Sequence, residues 1–449
     1  MKPAGIALAR LVHEKNRMHP PPSRRMLIEA VIASTIGTTI EWYDFFLYGT
    51  AAALVFPNLF FSNVDPFWGT ILAFGTFTVG FIARPIGGVI FGYMGDRVGR
   101  KSTLVTTLLL MGVSTLTIGF LPTYAEIGIA APILLTVLRF LQGLGVGGEW
   151  GGAVLLALEY SHTGRRGFVA SWPQAGVPLG LLASNGAMAL CRAELSEADF
   201  HDWGWRIPFY LSGLLIVVGL LIRLRILETP LFAAVQERKE EAEAPVTDTI
   251  RQHWRDLLLI AGMRITENAS FYLFALWCLT YDKEVLHVGA FVMLQAVNVA
   301  AILEFCTIPL FGFLSDRLSR RATYMTGCVL LIVFALPYFA LLETRDAAWI
   351  MVATVLGLSI CHALLYSVQA SLIPELFGTR LRCTGASIGY QLAVPLSGGI
   401  APIIATVLMD AFPNQYWPLA AYIIVNSVIS LTCVILLAET SRKDISSGA

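Results

Sequence analysis

The chain has 449 residues, of which 56% are hydrophobic and 14% are charged, and its formal net charge is zero. Soluble domains carry about 25% charged residues, so this composition excludes an ordinary soluble protein and indicates an integral membrane protein. The balanced charge gives no reason to expect a nucleic-acid partner.

The first 26 residues contain six Lys/Arg and the run Pro20-Pro21-Pro22, without a short apolar core. A cleavable secretory signal needs such a core, so we interpret residues 1–26 as a basic cytoplasmic tail. The seven cysteines along the chain are scattered and form no CxxC pair. We expect them to be small buried hydrophobic residues.

Long apolar runs follow the tail and alternate with polar loops. Crossing a bilayer takes about 20 mostly apolar residues in a helix, because every backbone polar group must be paired within lipid. Twelve runs meet this requirement, at 28–56, 67–93, 102–121, 128–157, 167–191, 205–225, 257–281, 289–314, 322–342, 349–372, 384–409 and 416–438. The sequence therefore predicts an all-α membrane protein with twelve transmembrane helices, called here spans 1 to 12.

The longest polar stretch between two spans divides the chain in half. It lies between spans 6 and 7 and includes the charged run ERKEE at 237–241. The predicted organisation is a basic tail at 1–26, a six-helix bundle at 27–225, a cytoplasmic linker at 226–256, a second six-helix bundle at 257–438 and a cytoplasmic tail at 439–449.

Basic residues predict the orientation of these spans. Of the 31 Lys/Arg, 24 lie in the two tails and in the loops after even-numbered spans, and four lie on the opposite side. Loops rich in Lys and Arg stay in the cytoplasm. We therefore expect both termini on the cytoplasmic side of a cell inner or plasma membrane.

A ten-residue segment occurs twice, 220 residues apart. Residues 92–101 read GYMGDRVGRK at the end of span 2, and residues 312–321 read GFLSDRLSRR at the end of span 8. The same loop at the same place in both halves indicates two pseudo-symmetric bundles. Glycines such as Gly92 and Gly99 permit a tight turn, and Asp96 can accept hydrogen bonds at a neighbouring helix N-terminus.

These stretches resemble the major facilitator superfamily, whose loop signature is G-x-x-x-D-R-x-G-R-R/K. Four further stretches resemble its metabolite:proton symporter branch: EWYDF at 41–45, ARPIGG at 83–88, RFLQG at 139–143 running to GGEW at 147–150, and SWPQAG at 171–176. Sugar porters of the superfamily end span 6 with P-E-S-P-R. Here residues 227–232 read LETPLF, which argues against a sugar as the solute.

The resemblance implies a transporter with two six-helix bundles that takes up a solute together with protons. The solutes of that branch are carboxylates such as dicarboxylates, citrate and shikimate, or zwitterions such as proline and betaine. We expect no cofactor, since the proton gradient supplies the energy, and as partners the solute, protons and the lipid bilayer around a monomer. The residues that the resemblance assigns to gating and structure are Gly92, Asp96, Arg97, Gly99, Arg100, Asp316, Arg317 and Arg84.

For the loop residues, the implied gate is a latch between the two halves on the cytoplasmic side. The alternative is a turn that only marks topology. An exporter with the same fold and a membrane sensor that does not transport also stay open. An enzyme is not expected, because the sequence contains no HExxH motif and no clustered Cys/His site.

Eight charged residues lie in the interior of the predicted spans, away from the span ends. A charge at the centre of a lipid-facing helix costs about 2.5–3.5 kcal/mol, so most of these residues must face the interior of the bundle. They are Glu41, Asp44, Arg84, Arg139, Glu149, Arg264, Glu267 and Glu304. The first two lie three residues apart on one stripe of span 1, whereas Arg264 and Glu267 are expected to pair locally in span 7.

A proton carrier needs an acid that can lose its charge, and acids outnumber arginines among these residues. A buried acid without a cation takes up a proton readily. The candidates for proton coupling are Asp44, Glu41 and Glu149, together with His362 of span 10. The alternatives are acids that only order their helices, a histidine that only packs, and a structural role for Glu304.

An anionic solute needs cationic and polar partners at membrane depth. The candidate substrate-binding residues are Arg139, Gln142, Tyr43, Trp172, Gln174, Asn185, Asn298 and Arg264. For each of them the alternative is a structural role, such as neutralising a carboxylate, hydrogen bonding between helices or packing. Beside Gln142, a stripe formed by Gly143, Gly147 and Gly151 should let span 4 approach a neighbouring helix closely.

Overall fold

The computed structural model describes residues 24–98, 100–148, 150, 154, 157–158, 161, 164–225, 245–377 and 382–441. Within these ranges the side chains of 24–27, 29–30, 92–104, 223–225, 245, 248 and 382–383 lie outside the described part. Over these residues the fold is all-helical. The long helices are α1 Arg24–Leu54, α2 Pro66–Val98, α3 Arg100–Gly119, α4 Ala130–Gly147, α5 Arg166–Glu194, α6 Ile207–Arg225, α7 Pro245–Tyr272, α8 Ala290–Arg317, α9 Arg320–Leu342, α10 Ala347–Leu376, α11 Thr384–Ala411 and α12 Trp417–Leu436.

Each long helix overlaps one predicted span. Eight of them, α2, α4, α6 and α8 to α12, are long and apolar enough to cross a membrane. The other four are α1, α3, α5 and α7; the described apolar part of α3, Val105–Gly119, is shorter, and α1 and α7 carry charged residues in their interior. Short helices at Phe56–Leu59, Tyr124–Ile127, Glu197–Asp202 and Cys278–Tyr281 and a 3-10 turn at Gly204–Arg206 lie in the connections or extend longer helices.

The linker region predicted at 226–256 is partly helical. Helix α7 begins at Pro245, twelve residues before the predicted start of span 7, and bends at His253, whose backbone angles are not helical. The first part of the predicted linker, 226–244, lies outside the described residues.

The glycine stripe of α4 packs against α2, as predicted. A Cβ atom built on Gly147 would lie 2.0 Å from the carbonyl oxygen of Arg84, and one on Gly143 would lie 2.1 Å from that of Gly80. A Cβ atom built on Gly87 of α2 would likewise lie 2.0 Å from the carbonyl oxygen of Leu144. The two backbones are therefore in direct contact, which only glycine permits. Gly151 lies outside the described residues.

Four π-helical turns interrupt the helices after residue 245, at Leu273–Trp277, Asp282–Leu286, Leu356–His362 and Pro395–Gly399. The described parts of 24–225 contain no such turn. A π-turn adds one residue to a helix and changes the direction of the side chains around it, which is why such turns are common at functional sites.

Candidate functional site

A small cavity lies between the two halves of the chain. Its volume is about 20 Å³, enough for roughly one water molecule. The lining residues are Thr38, Glu41, Trp42, Arg84, Val146, Trp150, Val154, Pro173, Gln174, Tyr390 and Gln391. They come from α1, α2, α5 and α11 and from the chain at the end of α4, so the cavity has walls from both halves.

Two buried arginines beside this cavity rest on aromatic rings. The Cζ atom of Arg84 lies 4.4 Å from the centre of the Phe45 ring and 5.0 Å from that of Trp42. The Cζ atom of Arg139 lies 4.1 Å from the centre of the same Phe45 ring and 4.4 Å from the centre of the Tyr48 ring. Such contacts stabilise a desolvated guanidinium by about 2 kcal/mol. Phe45 thus supports both cations.

A chain of hydrogen bonds runs through the N-terminal half. Arg139 Nη1 donates to Gln142 Oε1 at 3.0 Å, and Gln142 Nε2 donates to Thr115 Oγ1 at 2.7 Å. The hydroxyl of Ser212 in α6 donates to Asp44. Arg139 and Gln142 therefore share a face, as their spacing predicts, while Asp44 is held by a hydroxyl group of the neighbouring helix.

The acids of α1 point to different places. Glu41 lines the central cavity, whereas Asp44 contacts α6. Residues three apart on a helix differ by about 60° in direction, which is enough to separate them between two neighbours. Both side chains are buried, with exposed fractions of 6% and 2%.

The local pair predicted in α7 is confirmed. Arg264 Nη2 lies 3.3 Å from Glu267 Oε2. The same guanidinium donates to Gln369 Oε1 at 3.0 Å and to the carbonyl oxygen of Tyr390, and its Cζ atom lies 3.4 Å from the centre of the Tyr390 ring. Arg264 therefore joins α7 to α10 and α11.

His362 does not stand alone among apolar residues. Its Nδ1 atom lies 2.5 Å from Glu304 Oε1 of α8, and its Nε2 atom lies 3.5 Å from Glu267 Oε1 of α7. All three residues are at most 3% exposed. We call Glu267, His362 and Glu304 the glutamate–histidine cluster.

An aromatic stack connects this region to the N-terminal half. The rings of Trp150 and Tyr390 lie 3.6 Å apart at 13°. Trp150 Nε1 donates to Gln174 Oε1 at 3.1 Å, and Gln391 Nε2 lies 3.5 Å from the carbonyl oxygen of Gly147. These contacts close the cavity between the halves.

The second copy of the repeated loop also joins the halves. Asp316 of α8 accepts hydrogen bonds from the backbone amides of Gly167 and Phe168, at 2.8 and 2.9 Å, at the start of α5. Arg320 lies 2.8 Å from Asp316 and 3.3 Å from Glu375. Asp316 thus binds a helix N-terminus of the other half, where negative charge is favourable.

Glu439, after the end of α12, binds the start of α9. Its carboxylate accepts from the backbone amides of Arg320 and Arg321, each at 3.1 Å. Partial burial alone would raise the pKa of Glu439, but hydrogen bonds from the amides of Ser441, Arg321 and Arg320 and from Ser319 outweigh it and hold the pKa below its usual value. The segment that follows α12 is thereby tied to the second copy of the loop.

Other predicted substrate-binding residues have contacts away from the cavity. The Tyr43 hydroxyl donates to the carbonyl oxygen of Pro208 at 2.6 Å, and Thr50 donates to Asn185 Oδ1 at 2.6 Å. Trp172 packs against Phe305 of α8 with ring centres 6.1 Å apart. These contacts are the packing and helix–helix hydrogen bonding given above as the alternative.

Gln174 is the exception, because it both lines the cavity and donates to the carbonyl oxygen of Tyr366 at 3.4 Å across the halves.

Asn298 of α8 has a buried Oδ1 atom without a hydrogen-bond partner among the described residues. Arg317 lies over the Phe313 ring at 4.4 Å. Glu149 and Gly99 lie outside the described residues, as do the side chains of the remaining loop residues, Gly92, Asp96, Arg97 and Arg100.

Sequence reasoning did not connect Glu267, Glu304 and His362. They come from three helices and are separated by 37 and 58 residues, so no local spacing brings them together. It also did not single out Tyr390, whose only signal is an aromatic residue beside Gln391 in an apolar span.

Comparison with known proteins identifies the family of this chain. The Major Facilitator Superfamily profile matches residues 35–390. The chain is 38% identical to the shikimate transporter of Escherichia coli (strain K12) over 415 residues, which cover 92% of this chain and 95% of that protein. It is 33% identical to the proline/betaine transporter of the same organism over 426 residues, which cover 93% and 84%.

The fold matches solved structures of the same superfamily. The partially occluded inward-open conformation of the xylose transporter XylE from E. coli superposes with a TM-score of 0.70 at 14% identity, covering 93% of this chain and 99% of that one. The relatives are membrane transporters and not enzymes, and this chain is likewise a multi-pass membrane protein. The chain belongs to the Major Facilitator Superfamily, among its metabolite transporters.

Proposed function

We propose that the protein is a secondary active transporter that carries a small organic acid into the cell together with a proton. In this proposal all twelve long helices cross the inner membrane as two six-helix bundles, 27–225 and 257–438, with both termini in the cytoplasm. The proton gradient supplies the energy, without a cofactor, and the transporting unit is a single chain.

The observation that carries the proposal is the cavity between the halves, lined by Arg84, Glu41 and Gln174. The Arg84 guanidinium and the Gln174 amide would orient a small acid, because both groups donate hydrogen bonds to a carboxylate. A volume of about 20 Å³ admits no organic solute. Solute entry therefore requires the two halves to part, which is alternating access.

The aromatic contacts favour a carboxylate over a betaine-like zwitterion. A quaternary ammonium group binds over open aromatic faces. Here guanidiniums already lie over the central rings, Arg84 over Trp42, Arg139 over Phe45 and Arg264 over Tyr390. The relatives include a transporter named for shikimate, a carboxylate, and one named for proline and betaine.

Uptake by purified protein in proteoliposomes tests this function. A panel of labelled carboxylates, with proline and glycine betaine beside them, would be offered under an imposed pH gradient, acidic outside. We expect at least one carboxylate to accumulate well above equilibrium and a protonophore to abolish the accumulation. Arg84→Gln should reduce carboxylate uptake at least tenfold, since a charge-assisted hydrogen bond contributes about 1.5–3 kcal/mol.

Other outcomes identify the alternatives. Accumulation of proline or betaine alone would replace the carboxylate by a zwitterionic osmolyte. Accumulation that persists with a protonophore would contradict proton symport. If solute moves only out of the vesicles, and only when the pH gradient is inverted, the protein is an exporter. Binding of solute without any transport would indicate a membrane sensor.

A further inference from the structure

Both ring nitrogens of His362 face a carboxylate oxygen, Glu304 Oε1 at 2.5 Å and Glu267 Oε1 at 3.5 Å. A neutral imidazole has one N–H donor and one bare nitrogen that can only accept. With both glutamates ionised, one bare nitrogen would face a carboxylate oxygen. His362 Nε2 and Glu304 Oε2 are buried and have no hydrogen-bond partner among the described residues. One further proton, on the imidazole or on one of the acids, removes the unfavourable contact of a bare nitrogen with a carboxylate oxygen.

The charges around the cluster also favour one further proton. Arg264 is the cation in contact with it, through Glu267. With Arg264 charged and both glutamates ionised, the set has a net charge of zero when His362 is protonated and of minus one when it is neutral. A buried uncompensated charge is strongly unfavourable, so the set favours the state that holds the proton.

The remaining titratable groups packed against the set are phenols. The Tyr366 ring stacks on His362 with ring centres 5.3 Å apart, and the Tyr390 ring lies under Arg264. The Tyr324 hydroxyl lies 3.4 Å from Nε2 of Gln369, the residue that accepts from Arg264. Phenols ionise near pH 10 in water and are neutral at physiological pH. They do not alter the charge count.

Arg264 connects this proton to the central cavity. It donates to the backbone carbonyl of Tyr390 and covers the Tyr390 ring. Tyr390 in turn stacks on Trp150 of the other half and lines the cavity. Loss of the proton leaves one excess negative charge in the set, which draws Arg264 toward the glutamates and away from Tyr390.

We propose that Glu267, His362 and Glu304 form a one-proton binding site in the C-terminal half, and that this site controls the Tyr390–Trp150 stack on the cavity wall through Arg264. The proposal rests on the proposed function and adds to it a proton site separate from the acids of α1. One proton enters the cluster from water on one side of the membrane and leaves to water on the other, with no change of oxidation state. Arg264 acts as a positioning residue for Tyr390.

Transport by His362→Gln and Glu304→Gln tests the proton site. Both variants should lose accumulation driven by a pH gradient, by at least tenfold, because the cluster no longer gains and loses a proton. Exchange of internal for external solute at equal pH should continue, since it needs no net proton movement. His253→Gln is the matched control: His253 also pairs with an acid, Asp256, at 3.1 Å, but at a partly exposed site. Its accumulation should equal that of the unmodified protein.

The cavity wall is tested separately, without transport. In Gln391→Cys, with the natural cysteines replaced, a water-soluble maleimide should label residue 391 faster as pH rises, beyond the intrinsic reactivity measured on a free thiol. Adding Glu304→Gln or His362→Gln should remove that additional pH dependence. A purely structural role for the cluster would change the labelling rate at all pH values alike.

The two proposals fail in distinguishable ways. If the unmodified protein accumulates no solute, the proposed function fails, and the labelling profile still tests the cluster. If the unmodified protein accumulates solute and both cluster variants do so equally, the proton site is overturned. It is also overturned if the labelling profile at residue 391 keeps its pH dependence in both variants, including the case in which they have lost exchange.

Discussion

At the scale of single residues, the interior of this protein accommodates cations on aromatic faces. Arg139 has two guanidinium nitrogens, Nε and Nη2, without a hydrogen-bond partner among the described residues, yet its side chain is fully buried. The rings of Phe45, Tyr48 and Phe77 lie within 4.6 Å of its Cζ atom. Removing one of these rings would therefore remove part of the solvation of the cation as well as packing.

The backbone contact at Gly147 gives a prediction for one added methyl group. Gly147→Ala would place its Cβ atom 2.0 Å from the carbonyl oxygen of Arg84, so the helices α2 and α4 must separate. We expect a loss of about 1–3 kcal/mol in the free energy of unfolding, the usual cost of overpacking. Thermal unfolding of the detergent-purified protein measures it.

Gly75→Ala is the matched control, because nothing lies within 4 Å of a Cβ atom at that position of α2. There the higher helix propensity of alanine should raise stability by up to about 1 kcal/mol. Equal unfolding temperatures for the two variants would show that the contact at Gly147 relaxes freely.

Residue-level prediction from the sequence worked where one helix decides the answer. The Arg264–Glu267 pair and the shared face of Arg139 and Gln142 follow from helical spacing alone. The partners of His362 could not be predicted in this way, because they lie on two other helices and their approach depends on how α7, α8 and α10 pack.

At the scale of helices, Asp316 binds the N-terminus of α5 across the two halves. The free amides at a helix N-terminus carry partial positive charge, so an ionised carboxylate is the favoured partner. Since α5 and α8 belong to different halves, this contact must break whenever the halves part at that end.

Asp316→Asn should therefore favour the conformation open at the proposed cytoplasmic end. Charge-assisted hydrogen bonds contribute about 1.5–3 kcal/mol, so we expect the open population to rise about tenfold or more. Ser171 of α5 is fully buried and would touch a Cβ atom on Gly312 of α8. A cysteine at position 171 should thus be alkylated faster in the Asp316→Asn background.

Asp346→Asn provides the comparison. Asp346 accepts from the amides of Ala348 and Trp349 at the start of its own helix, α10, so the same chemistry is lost without any contact between the halves. Labelling at position 171 should be unchanged there. Similar acceleration in both variants would mean that general destabilisation, and not the Asp316 contact, exposes the site.

Helix positions followed from apolar run length, but their internal irregularities did not. The π-turn at Leu356–His362 rotates the end of that turn, including His362, relative to a regular helix. Nothing in the residue pattern of an apolar span indicates one extra residue in a turn, because the turn is stabilised by tertiary packing and not by local propensity.

At the scale of the whole molecule, a cross-link between the halves should stop transport. Thr78 of α2 donates to the carbonyl oxygen of Gly399 in α11 at 2.6 Å, and a Cβ atom on Gly399 would lie 3.3 Å from Thr78 Cγ2. The pair Thr78→Cys with Gly399→Cys is thus close enough for a disulfide. Oxidation should abolish solute exchange, and reduction should restore it.

Each single cysteine variant controls for the lost hydroxyl or the added side chain. Exchange that continues in the fully oxidised double variant would contradict relative motion of the halves at this contact.

The overall architecture was the most predictable level. The apolar runs indicated an all-helical membrane protein, and the family and the fold agree with that prediction. The two related bundles indicated by the repeated loop stay a prediction. The way the halves meet was not predictable, because the contacts of Trp150 with Tyr390 and of Thr78 with Gly399 join positions more than 200 residues apart.

The π-turns described above have a mechanical consequence. All four lie after residue 245, while in the N-terminal half α2 and α4 are locked backbone to backbone through glycines. Over the part of the chain that the structure describes, the first half thus has two helices in direct backbone contact, and the second half has the helices that widened turns interrupt. We expect the conformational cycle to be unequal, with the first bundle moving as a rigid body and the second bending at its π-turns.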